Sequence, residues 1–284
     1  MAKTISQEWM KTFEPSEKIG LISTVTGEGL PHITLITTLQ ANTPSQLIWG
    51  QFIEGMSKEN VRNNPKTGFL IMTMERAFWT GRALWTHEKH EGPEYIMYND
   101  KPLYRYNTYT GIHTVHYMDL VEISEKLSLD MPSIAGGAVL AKIAKGGLAQ
   151  KTEPKILNLW SEKLFNKIDA LKFISFVDQD GYPVILPIIQ AQAAGSAKIV
   201  FTPEPYAGKM LNISRGTPVA VFGMNFGLES VLAEGEFKGF QKSRGVNLGV
   251  VDIGRVYNSM PPKQGYIYPE RKPEPVRDFG DASA

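Results

Sequence analysis

The sequence contains no cysteine. That single absence removes disulfides, thiolate nucleophiles, Cys-ligated iron–sulfur clusters and Cys-bound zinc, and it fits a reducing cytoplasm. Charge of one sign is also lacking: 30 Lys and Arg stand against 29 Asp and Glu, a formal net charge of +1. No strong field is available to draw in a polyanion, so a nucleic-acid partner is not expected. The first residues, MAKTISQEWMKTF, have no apolar signal core. The most apolar run, residues 134–148, is broken by Lys142 and Lys145 and is too short to span a bilayer. The chain reads as soluble and cytoplasmic, with no membrane partner. No Gly-x-Ser-x-Gly elbow, Walker loop or Gly-x-Gly-x-x-Gly after a strand is present, so hydrolase, NTPase and Rossmann readings have no support.

What is there supports a substantial core. Apolar residues make up 42% of 284, enough for two modest domains or one large one. The organising stretch runs over residues 29–74. A turn at Glu28-Gly29 releases an Ile/Thr/Leu-rich strand, a second strand covers residues 47–53, and a third covers residues 67–74. Between the last two lies a short polar segment with Ser57, Lys58, Asn60 and Arg62, closed by Asn64-Pro65. Hydroxyl, amide and two cations after a strand suit a phosphate-bearing ligand: Lys is a point charge, and Arg grips phosphate oxygens bidentately. The alternative is ordinary helix capping, with Ser57 as N-cap and Asn60 three residues on. Along residues 32–39, Ile33, Leu35 and Leu39 share one face of an extended strand, and His32, Thr34, Ile36 and Thr38 the other.

Gly29-Leu30-Pro31 leading into His32-Ile33, followed by Gly55-Met56-Ser57-Lys58-Glu59-Asn60-Val61, resembles the flavin mononucleotide (FMN)-binding split β-barrel family, which includes pyridoxamine 5′-phosphate oxidase. The resemblance covers roughly the first 125 residues and implies a mainly β fold. Carried over position by position, it implies that Ser57 and Lys58 hold the FMN phosphate with Asn60 and Arg62 nearby, and that Thr34 and Gln51 meet the flavin edge. It implies an oxidoreductase that passes electrons or hydride between flavin and a small molecule or redox partner. The oxidase's basic residue on the first flavin-contacting strand is replaced by His32 or Thr34, and its substrate-binding C-terminal pattern is missing. The substrate is therefore expected to be other than vitamin B6. A non-enzymatic flavin or haem carrier, or a cofactor-free binding module, is the alternative.

The second half repeats the first. KFISFVDQDGYPVILPI (172–188) aligns with GLISTVTGEGLPHITLI (20–36), KIVFTP with QLIWGQ, and Thr217-Pro218 with Asn64-Pro65. Two strand sets of one order argue for duplication, hence two tandem split barrels: residues 1–127 and a degenerate 155–260, joined at 128–154 by a linker whose Ala-rich middle can be helical. The second phosphate loop has no clean Ser-Lys pair. Family members usually pair as dimers, so the tandem implies an intrachain pseudo-dimer or else a homodimer, with Phe201, Tyr206 or Phe222 as flavin-stacking candidates. A Pro- and charge-rich tail, 261–284, should be extended.

Two features lie outside this scheme. An insertion at residues 87–111 opens with a helix whose first turn holds Pro93 and continues into a Tyr-rich loop. Each tyrosine ring wants burial and a hydroxyl partner, so the insertion is either a pocket or interface wall or a piece of core. Four of the five histidines fall in two pairs, His87/His90 and His113/His116. Metal or haem through His113 and His116 is the alternative cofactor they raise, although three-residue spacing on a strand sends the two side chains to opposite faces.

Overall fold

The computed structural model describes residues 1–106, 111–149, 154–204, 213–227, 229–258 and 265–268. The chain is mainly β, with two antiparallel sheets that make two split-barrel domains.

The first sheet is built from β1 (Lys18–Val25), β2 (Pro31–Leu35), β3 (Gln40–Thr43), β4 (Gln46–Gln51), β5 (Lys66–Thr73), β6 (Ala77–Lys89), β7 (Thr114–Ile123) and the short β8 (Leu127–Ser128). Its strand order is β2-β1-β5-β6-β7-β4-β3, with β8 on β6. Gly29, at φ 77, turns β1 into β2 in a backbone region open to glycine. The extended strand expected over 32–39 is shorter than its letters indicate. It stops at Leu35, and the chain turns so that Ile36 N–H donates to Gly20 O and Leu39 N–H to Ile36 O. Both Ile36 and Leu39 thereby reach one core with Phe13, Ile22, Trp49, Val61, Phe69 and Trp79. A turn overrides the period-2 pattern because it buries both side chains.

Helix α1 (Gln7–Phe13) is capped by the Ser6 hydroxyl and lays Phe13 against Trp79, ring centroids 5.0 Å apart. Helix α2 (Met56–Asn63) follows β4 and packs on β1 and β2. The insertion forms α3 (Pro93–Asp100), with Pro93 in its first turn as expected, and the five-residue α4 (Pro102–Tyr106). Tyr98 and Tyr104 are buried; their hydroxyls donate to Thr38 O (2.8 Å) and Thr37 O (3.3 Å). These two rings are core. Residues 107–110, with Tyr109, lie outside the described residues.

The second sheet comprises β9 (Leu171–Val177), β10 (Pro183–Pro187), β11 (Gln192–Ala193), β12 (Lys198–Phe201), β13 (Pro218–Met224), β14 (Ser230–Ser243), β15 (Val246–Asn258) and β16 (Gly265–Tyr268). Its order, β10-β9-β13-β14-β15-β12-β11, is that of the first sheet strand for strand, with β16 added on β15. Residues 265–268 of the tail are therefore an extended sheet strand. Residues 131–144, expected as linker, form helix α5 (Met131–Ala144), followed by a 3₁₀ turn at Lys145–Gly147. Its inner face, Ala141 and Ala144, packs on Ala194, Val200, Leu248 and Val250. The tip between β14 and β15 caps its C-terminus: Ser243 Oγ donates to Ala144 O (2.7 Å) and Arg244 Nη1 to Ile143 O (3.0 Å). Helix α6 (Leu159–Asn166) precedes β9 as α1 precedes β1, capped by the Asn158 side chain.

By internal contacts the chain divides into one unit of Met1–Ile134, Phe173–Pro187 and Pro218–Ala220, and another of Ala135–Lys172, Ile188–Thr217 and Val221–Ala284. The β9–β10 hairpin thus belongs with the first unit. Inside that unit Arg82 pairs with Asp178, Asp180 and Glu122, and Lys66 Nζ donates to Asp180 O (2.5 Å). Among the described residues, no helix is long and apolar enough to cross a membrane.

Candidate functional site

The site is built where β4, β7 and the start of α2 meet. In the β4–β7 register Trp49 lies opposite His116. Directly opposed residues of an antiparallel pair point to the same face, and here the two rings stack, centroids 3.7 Å apart and 9° from parallel. His116 is fully buried. The Trp85 indole, a donor only, gives its N–H to His116 Nδ1 (3.2 Å), so the ring proton sits on Nε2 and is donated to Gln51 Oε1 (2.6 Å). Burial first, and then the positive charge of Lys58, push the His116 pKa down to about 3. The imidazole is neutral at ordinary pH. Glu88 Oε2, 3.5 Å from Nδ1, consequently faces an uncharged ring, and this carboxylate pairs with Arg62 instead.

Gly55 is the N-cap of α2. Its backbone is extended, and no side chain caps the helix. The alternative in which Ser57 does the capping is corrected here: Ser57 is the second helical residue. Its hydroxyl is buried, the residue 2% exposed, and has no hydrogen-bond partner among the described residues. Lys58 follows, only 8% exposed, with its Nζ 5.9 Å from the Trp49 ring centroid. Among the described residues its ammonium makes no hydrogen bond or ion pair. Burial lowers its pKa to about 8, opposed by the negative charge of Glu54. Trp49 Nε1 is also buried without a partner. Ser57 and Lys58 thus stand in the first turn of a helix, with Trp49 beside Lys58, and there backbone N–H groups and the macrodipole also favour an anion. Uncompensated burial of polar groups such as Ser57 Oγ and Trp49 Nε1 costs on the order of 1–3 kcal/mol each, so this region is not arranged for stability alone.

The six residues singled out from sequence separate into groups. Ser57 and Lys58 form the cradle. Gln51 stands behind it, 1% exposed, with its amide Nε2 donating to Glu54 Oε1 (2.8 Å) and its carbonyl taken by His116. Asn60 faces the sheet, donating to Thr24 Oγ1 (2.9 Å) and fastening α2 to β1. Arg62 is exposed and held bidentately by Glu88 at 3.1–3.2 Å. Thr34 is half-buried on β2, opposite Ile22. Sequence reading missed Trp49 as a site residue and raised His116 only as a metal or haem ligand. The pairing that joins them spans 67 positions of chain, and nothing local to either residue reports it.

The histidine pairs do not converge. His113 Nδ1 shares a hydrogen bond with Thr114 Oγ1 (2.8 Å), His90 bonds to the same hydroxyl (3.1 Å), and His87 stacks on Tyr117. With both nitrogens of His116 engaged, neither has a lone pair left for iron or another metal. Among the described residues no group of three or more His, Asp or Glu is placed to hold a metal ion. Of the stacking candidates, Phe201 and Phe222 are fully buried in the second sheet's core, a correction to their expected flavin contact; Tyr206 lies outside the described residues.

No family model matches the chain, and no curated protein matches it. Similar solved structures include an FMN-binding protein from Syntrophomonas wolfei, 15% identical with a TM-score of 0.34, covering 42% of this chain and 82% of that one. An F420 reductase is 15% identical at a TM-score of 0.34, covering 42% and 98%. HutZ, the haem storage protein from Vibrio cholerae, is 12% identical at 0.33, covering 42% and 94%. The structures this chain is similar to are thus FMN-binding and related split-barrel proteins, each at low identity and over less than half its length.

Proposed function

We propose that the chain binds FMN, with the phosphate on the first turn of α2, and that it is an oxidoreductase acting between the flavin and a small molecule or redox partner. The observation that carries this is a pair of buried donors with no partner among the described residues, Ser57 Oγ and Trp49 Nε1, beside the largely buried Lys58 ammonium. A phosphate dianion would satisfy all three with charge-assisted bonds. Bound flavin would supply the electron or hydride chemistry, as cofactors do. The residues' own part is to seat the phosphate, shield it from water and fix the position of the ring. Haem is the less favoured ligand, because His116 has no free nitrogen and the cradle fits a phosphate.

The pairing of two barrels that a split-barrel flavin site uses is, in this proposal, made within one chain. Ser23 Oγ and Ser175 Oγ are 2.8 Å apart inside the first unit, and the alignment of the two halves makes them the same position. Equivalent positions of the two repeats carrying the same residue support duplication.

The test is direct. Purified full-length protein is examined for flavin absorbance, then titrated with FMN and with riboflavin, which lacks the phosphate. Tight FMN binding with riboflavin weaker by about 100-fold or more, the worth of two or three charge-assisted bonds, supports the reading. Equal affinity for both, or none for either, sinks it. Sedimentation of the loaded protein as a monomer is expected of the pseudo-dimer.

A further inference from the structure

Behind the cradle runs a chain of hydrogen bonds that all point one way. Trp85 donates to His116, His116 to Gln51, and Gln51 to the carboxylate of Glu54. The first donor cannot reverse, since an indole N–H has no acceptor. Gln51 cannot flip either: its NH₂ would then meet the His116 N–H, and its carbonyl would meet the carboxylate. The result is a negative charge held at a fixed place, one residue before the Gly55 cap of α2. Glu54 itself is exposed.

We propose that Glu54 is a charge filter that admits ligands ending in a single phosphate and rejects those in which a second phosphate follows, with His116 as its positioning residue through Gln51. A phosphate seated on the first-turn amides directs its ester substituent away from the helix, past the residues flanking the cap. A monoester meets Lys58, Ser57 and Trp49, which offset its charge. A diphosphate brings its next negative group beside Glu54, whose carboxylate already acts on Lys58. Like charges a few ångströms apart repel. This inference rests on the phosphate reading above and adds the ligand class: phosphate monoesters, not dinucleotides.

The experiment uses ligand-free, full-length protein with FMN against FAD, followed by flavin fluorescence. Inorganic phosphate against pyrophosphate, followed by tryptophan fluorescence, removes the bulk of adenosine from the comparison. Glu54→Gln changes one exposed side chain and should fold as the wild type does. FAD and pyrophosphate affinities are expected to rise about tenfold, and FMN and phosphate affinities less than about threefold. His116→Phe should lower the same discrimination, and His116→Gln, which keeps a donor toward Gln51, should restore part of it. A merely structural role would move the melting temperature and leave the ratio alone. If Glu54→Gln leaves the FMN-to-FAD and phosphate-to-pyrophosphate ratios unchanged while FMN still binds, the filter is wrong and the phosphate site stands. If wild type binds neither FMN nor phosphate, both fall together.

Discussion

The two sheets have one strand order and two different interiors at the same address. Where the first stacks Trp49 on His116, the second sets Phe201 opposite Gly249. A Cβ on Gly249 would lie 2.7 Å from the Phe201 ring, so no side chain fits there, and Phe201 packs on Phe237 and Phe240 instead. Pro203 stands at the position of Gln51, and Phe176 at that of Thr24, which anchors Asn60. The first sheet sets an indole against an imidazole at this place; the second fills it with phenyl rings. Topology therefore supplies a location, and a handful of side chains decide whether it is a site or a core.

Mutations can break this contrast, beginning with the largest effect. Lys58→Met should lower FMN affinity by about 100-fold while raising the stability of the ligand-free protein by about 1–3 kcal/mol, since a shift from 10.5 to about 8 means the folded state carries the charge at a cost. Titration calorimetry and denaturant melts would show the opposed signs. A loss of both affinity and stability would mean that Lys58 serves the fold. The pH dependence follows. The folded value lies below the unfolded one, so the unfolded chain holds more protons between about 8 and 10.5 and wild-type stability rises across that window. Lys18 and Lys172 also sit at about 8, so the Lys58 share is the difference between wild type and Lys58→Met. FMN affinity itself should fall as pH rises through about 8, while riboflavin affinity stays level.

On the other side of the comparison, Gly249→Ala should cost about 1–3 kcal/mol of stability through overpacking against Phe201 and leave FMN affinity untouched. Chemical denaturation with a parallel flavin titration separates the two. Asn60→Ala should destabilise the protein by about 1–2 kcal/mol, with or without ligand, because its bond to Thr24 is part of the fold. Ser57→Ala should do the reverse: about tenfold in FMN affinity, with the ligand-free melting temperature unchanged or higher, since its hydroxyl has no partner to lose. Smallest of all, Arg62→Ala should change either quantity by less than about 0.5 kcal/mol, as expected of an exposed ion pair. A large loss of affinity in that variant would return Arg62 to the phosphate.

Apolar runs around the two Gly-x-Pro turns placed β1, β2, β9 and β10, the runs that follow placed β4, β5 and β12, and the absence of cysteine narrowed the chemistry, because both signals are local or purely compositional. The polar segment Ser57-Lys58 announced itself for the same reason. Strands β3, β11 and β15 were not legible: two are short, and all depend on pairing with distant strands. A helical middle was legible in the 128–154 linker, but only the folded chain fixed the helix at 131–144 and packed it on the second sheet, because Gly and Ala letters become helical when a surface is there to bury them. It also fastened Asn60 to Thr24, paired Arg62 with Glu88 and stacked Trp49 on His116. Whether a polar side chain is a ligand contact or a fastening depends on which partner lies within 3 Å of it, and that is set by strand register and helix docking across the chain.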